Sequence, residues 1–145
     1  MTSIFDPDSF LDEEQDELST ERSLIPMGVH AAIIESLSTK SGTSDSGVDW
    51  ARLEVKWSIT EPAVLEEVGR DKVFITQRLM LDIDEDTGKL SSKKGANWQL
   101  GQLRKACDKP KGPLNDLVGC QALIEIKHRV YEGKVQEDIK SVASA

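Results

Sequence analysis

The sequence predicts an all-β domain of five strands with one helix, and three observations point there. Alternating polar and apolar residues recur in five segments, the pattern of half-buried strands whose successive side chains face opposite sides of a sheet. Ala96 to Lys105 switches to helical spacing between the third and fourth of these segments. Clusters of Gly, Pro, Ser and Asp punctuate the rest. With 145 residues the chain has room for one real core.

Residues 1–23 read as a disordered acidic arm ahead of a folded domain over 24–145. Eight acids and no Lys or Arg fall in residues 1–21, so the segment repels itself and has little to bury. Removing those eight from the chain's 26 acids leaves 18 against 18 bases in residues 22–145, so the net charge of −8 resides in residues 1–21. A neutral domain can still carry a positive face, because local field matters more than the total. Phe5, Phe10 and Leu11 make the arm an acidic-aromatic peptide suited to docking on a partner, or to folding back on the chain's own cations. The plainer alternative is a solvating tail.

Pro26-Met27-Gly28 opens the domain. Val29 to Leu37 is strand 1, apolar on both faces as expected of a central or strongly curved strand; His30 in it reads as a packed histidine. Ser38 to Asp49 reads as a flexible loop with Lys40 its only cation. In strand 2, Trp50 to Ile59, Ala51, Leu53, Val55, Trp57 and Ile59 take one face and Trp50, Arg52, Glu54, Lys56 and Ser58 the other. Residues 60–69 form a longer connection. Strand 3, Lys72 to Leu81, repeats the arrangement: Val73, Ile75, Leu79 and Leu81 face in, with Gln77 breaking the row, while Phe74, Thr76, Arg78 and Met80 face out.

Asp82 to Gly88 resembles the start of a calcium loop. It holds Thr87 where the sharp turn needs Gly and Lys93 where the closing Glu belongs, so it reads as a polar turn. In the helix, Trp98, Leu100, Leu103 and Ala106 form one stripe, and Trp98 is expected to plug the end of a barrel. Asn115 to Val118 reads as a short helical turn. Strand 4, Cys120 to Tyr131, turns Ala122, Ile124, Ile126, His128 and Val130 inward and Lys127, Arg129 and Tyr131 outward. Glu132-Gly133 fits a tight hairpin tip leading to strand 5, Val135 to Val142.

The order strand, strand, strand, helix, strand, strand is that of a five-stranded Greek-key OB-fold barrel. Such barrels hold oligonucleotides on the outer face of strands 2 and 3, between the strand 1–2 and strand 4–5 loops. Trp50, Arg52, Lys56, Phe74 and Arg78 fall on that face, Lys40 in the first loop, and Lys127, Arg129, Tyr131 and Lys134 around the second. Rings beside cations suit single-stranded nucleic acid, because every base offers a π-face and every nucleotide a phosphate.

Over residues 25–142 the chain resembles phage-encoded single-stranded DNA-binding proteins of the OB-fold type. The likeness rests on Ile25-Pro26-Met27-Gly28, Lys40-Ser41-Gly42, Gly69-Arg70, Leu117-Val118-Gly119 and Tyr131-Glu132-Gly133-Lys134, in that order and spacing. The resemblance implies sequence-independent binding and protection of single-stranded DNA during phage DNA replication and recombination, in the cytoplasm of the host bacterium. It implies replication or recombination proteins as further partners. Many such proteins end in an acidic tail; here the acidic-aromatic segment is N-terminal.

Other classes have less support. There is no P-loop, no metal-spaced Cys/His set and no Ser/His/Asp grouping, so no catalysis, cofactor or metal is expected. No apolar run approaches the roughly 18 residues of a membrane span, and the acidic N-terminus lacks a signal-peptide pattern. Cys107 and Cys120 read as reduced thiols. The alternative reading is a small barrel-fold interaction or structural module, with its exposed aromatics in the subunit interface of a homo-oligomer.

Overall fold

The computed structural model describes residues 5–18 and 23–145. Five strands, β1 (Gly28–Thr43), β2 (Asp49–Ile59), β3 (Val73–Leu81), β4 (Gln121–Tyr131) and β5 (Lys134–Ser144), form one sheet in the order β3-β2-β1-β4-β5. Every neighbouring pair is antiparallel. The sheet is not closed: β3 and β5 are its edges, and although their Cα atoms come within 8 Å no ladder joins them.

β1 is the spine. Gly28 to Ile33 pairs with β4, and Ala32 to Thr43 with β2. The handover is marked by a register shift between Ile34 and Ser36. An extra residue there bends the strand and raises its twist, so one long strand serves two partners.

The inward row read from β2 is buried from Leu53 to Ile59, with Ala51 half-buried and the outward Glu54 buried as well. Leu53, Val55, Trp57 and Ile59 are buried, and they pack with Ala32, Ile34, Val73, Ile75, Leu79, Ala122, Ile124 and Ile126. Trp57 is fully buried, and its indole N–H donates to Gln77 Oε1 at 3.1 Å. That bond explains the one polar residue in the inward row of β3, since a buried indole N–H left unpaired would be costly. Ile25 is drawn into the same core by a clasp: its N–H donates to Glu137 Oε2 at 3.2 Å, and His128 Nε2 donates to its carbonyl at 2.6 Å.

Several expectations are corrected. Among the described residues there are two α-helices, not one: α1 (Pro62–Val68) occupies the 60–69 connection. Pro62 pre-sets its first turn, and Gly69, at φ 77°, ends it by donating to the Leu65 and Glu66 carbonyls. Its seven residues are too few for an apolar stripe to stand out. Ser38 to Thr43 is strand rather than loop, because Asp49 to Glu54 supplies the partner ladder; only residues 44–48 turn. Lys40 therefore lies on β1, opposite Arg52.

α2 (Trp98–Ala106) buries Leu100, Leu103 and Ala106, but Trp98 is 56% exposed and plugs nothing. At about 100° per residue, Trp98 sits roughly opposite Leu100 on the helix. Val130 is 72% exposed although its alternation is inward. The last β1–β4 pair is Gly28↔Ile126, and past His128, whose ring meets the Ile25 carbonyl, β4 is paired with β5 alone among the described residues. The hairpin tip itself is as expected: Glu132 and Gly133 both take positive φ, 50° and 76°, the geometry of a type I′ turn.

Within the arm, residues 10–12 form a single 3-10 turn, with the Phe5 and Phe10 rings 5.0 Å apart. The Asp6 carboxylate accepts from the Asp8 N–H and the Ser9 hydroxyl. Phe5, Phe10 and Leu11 are all exposed. Residues 1–4 and 19–22, which include Glu21 of the acidic count, lie outside the described residues.

Candidate nucleic-acid interface

The face of β2 opposite the core can be laid out row by row from the ladders. Arg52 lies between Met80 of β3 and Lys40 of β1, Glu54 between Arg78 and Ser38, and Lys56 between Thr76 and Ser36. Ser58 lies beside Phe74, and Trp50 opposite Gly42. Six of the proposed binding residues, Lys40, Trp50, Arg52, Lys56, Phe74 and Arg78, thus share one surface of three adjacent strands.

Each ring there is held by a cation of its own chain. The Lys56 Nζ lies 4.2 Å from the Phe74 ring centroid, and the Arg52 guanidinium 5.5 Å from that of Trp50. Such contacts are worth roughly 0.5–1 kcal/mol at exposed sites, enough to orient a side chain and little enough to give way to a base. Gly42 leaves room for the indole: a Cβ on it would lie 3.0 Å from Trp50 Cζ2. The Trp50 ring therefore lies over the β1 backbone, with its remaining surface half-buried.

At the centre is Glu54, 9% exposed. Its Oε1 lies 3.2 Å from Arg52 Nη2, 3.5 Å from Lys40 Nζ and 3.6 Å from Arg78 Nε. Four cations and one carboxylate leave this patch positive. Its border is acidic: an open groove of about 750 Å³ beside Trp50 is lined by Asp49, Asp82, Asp84 and Glu85. Those four acids place negative charge along that edge of the patch.

The β4 residues are placed elsewhere. Lys127 pairs with Asp138, Arg129 with Gln136 and Tyr131 with Lys134, all beyond the start of β1, whereas Trp50 lies near the end of β1. Tyr131 is 57% exposed, and Arg129 Nε stands 4.0 Å from Asp138 Oδ2. By register, these four residues form a separate group at the β4–β5 tip.

Sequence reasoning missed two residues. Glu54 stood in the outward row of β2 between two cations, which was the available signal. Trp98 was assigned to the interior, yet it is exposed and follows Asn97, whose side chain bonds both the N–H and the carbonyl of Asp82 at the end of β3. That tie fixes the start of α2 beside the end of β3, with Lys93 and Lys94 preceding it in the chain.

Other titratable groups lie apart from the face. His30 Nε2 donates to the Pro26 carbonyl at 2.7 Å, and Nδ1 meets Glu61 at 3.2 Å. The Ala31 N–H, and then His30, hold the Glu61 carboxyl below its ordinary range against the opposing effect of burial. Burial, followed by the neighbouring Cys120 thiol, pushes Cys107 up to about 12, so it stays protonated at neutral pH. Among the described residues no three His, Cys, Asp or Glu side chains gather to hold a metal ion, and no helix is long and apolar enough to cross a membrane. Compared with known proteins, the chain matches no family model and no curated sequence.

Proposed function

We propose that this chain binds single-stranded DNA without sequence preference, protecting it during phage DNA replication and recombination in the host cytoplasm. The observation that carries the reading is the shared β1–β2–β3 surface, where two rings and four cations meet beside an acidic border. Bases would stack on Trp50 and Phe74, at roughly 1–3 kcal/mol per base. Phosphates would pair with Lys40, Arg52, Lys56 and Arg78 in a salt-dependent manner. The order β3-β2-β1-β4-β5 is what an OB barrel yields when opened between its third and fifth strands, which supports that finer fold. In that fold the β4–β5 tip, with Lys127, Arg129, Tyr131 and Lys134, would close over the strand, and the acidic arm would recruit replication or recombination proteins.

A second reading has its own observation. Val130, Val135 and Tyr131 expose apolar surface at the hairpin tip, as Met27 and Val29 do at the start of β1. In an interaction module this surface would be a subunit interface.

Titration with a long oligothymidine at low salt separates the two. Trp57 is buried, so quenching reports on Trp50 and Trp98, and Trp50→Phe is expected to remove a large part of it. A folded sample with unchanged fluorescence and a concentration-dependent mass would favour the interaction module.

A further inference from the structure

The least expected group on the binding face is a carboxylate at its centre. Glu54 is nearly as buried as a core residue, yet it lies on the outward side of the sheet, its side chain 11% exposed beneath Lys40 and Arg78 at 58% and 60%. The three cations converge on a single oxygen, Oε1, at 3.2–3.6 Å. Charge-assisted N–H···O bonds run to about 2.7–2.9 Å, so these contacts are attractive without being closed. Consistently, among the described residues Oε1 makes no formed hydrogen bond, and neither does Arg52 Nε. An anionic oxygen at the focus of two guanidinium groups and an ammonium is the arrangement that a phosphate oxygen of a bound strand would take up.

We propose that Glu54 is an internal counter-anion for this face, occupying the position of a backbone phosphate and competing with the strand for Lys40, Arg52 and Arg78. The inference rests on the single-strand-binding reading and adds regulation to it. The carboxylate keeps the cations gathered in the free protein. It also lowers the gain on binding, because a phosphate arriving at Lys40 or Arg78 meets a cation already partly neutralised. A protein that coats a strand and must later release it gains from such a limit.

The test is the salt dependence of oligothymidine binding by the full chain and by Glu54→Gln, which keeps the volume and removes the charge. Glu54→Gln is expected to bind about fivefold more tightly at low salt, with a log–log salt slope steeper by about 0.7, the value for one further phosphate contact on a single strand. Equal or weaker binding by a folded Glu54→Gln would overturn the proposal and leave Glu54 a buttress. Binding by neither protein would sink the single-strand-binding reading itself. Should Glu54→Gln not fold, Arg78→Gln is compared with Lys56→Gln, since Lys56 faces a neutral ring. Arg78→Gln is expected to flatten the slope clearly less than Lys56→Gln, and equal flattening would overturn the proposal.

Discussion

Two regions of this sheet carry the same kinds of side chain in different states of organisation. On the β2–β3 face, Phe74 has Lys56, Trp50 has Arg52, and Glu54 gathers Lys40, Arg52 and Arg78. At the β4–β5 tip, Tyr131 and Val130 stand more than half exposed and Arg129 reaches Asp138 only at 4.0 Å. The cause is topological. β2 has a strand on each side, so outward side chains meet neighbours from two ladders; the end of β4 has only β5. Composition therefore does not make a binding surface by itself. Neighbouring strands do, by fixing the side chains before a ligand arrives and so lowering the ordering cost of binding. In the proposed function the first region is the platform and the second the closing arm.

The comparison can be broken most forcefully within β2. Trp57→Ala is expected to cost about 3–5 kcal/mol of stability, measured by denaturant unfolding, because it empties the core. Trp50→Ala on the opposite face should leave the unfolding midpoint nearly unchanged. A large stability loss from Trp50→Ala would mean that its ring is structural. Next in size is stacking. Phe74→Ala is expected to weaken oligothymidine binding by about 1–3 kcal/mol, roughly 5- to 150-fold. Tyr131→Ala should lose clearly less, and the reverse order would exchange the roles of platform and arm.

Charge sharpens the same contrast. Lys56→Ala is expected to flatten the salt slope by about 0.7, and Lys134→Ala by less. The smallest effect expected is on acid stability at the β1 start. The Glu61 carboxyl, lowered chiefly by the Ala31 N–H, contributes stability present above its ordinary value of 4.5 and lost as pH falls through its lower folded value. Thermal melts from pH 6 downward should therefore decline less steeply in Glu61→Gln than in the parent chain. Identical declines would remove Glu61 from the account.

Much of this was legible because period-two alternation is a local signal. The rows of β2 and β3, including the inward Trp57 and outward Phe74, are burial patterns that one strand displays by itself. Partners across the sheet are not local. Ser38 to Thr43 reads as a loop until Asp49 to Glu54 is laid beside it, and Gln77 is an anomaly until Trp57 is seen to need an acceptor. Glu54 followed the same rule: its place between Arg52 and Lys56 was visible, while its meeting with Lys40 and Arg78 depended on registers the sequence does not print. Val130 shows the converse, an inward alternation that outlasts the core it points toward. Trp98 was misplaced because a short helix tolerates a stripe drawn too wide.

The central claim is that bases rest on the outer face of β2 and β3, and photo-cross-linking tests it most directly. An oligothymidine carrying 5-iodouracil, irradiated with the full chain and mapped by mass spectrometry, is expected to mark Trp50 and Phe74 and to leave the buried Trp57 unmarked. Adducts confined to the β4–β5 tip, or no adducts under conditions where the oligonucleotide binds, would contradict it.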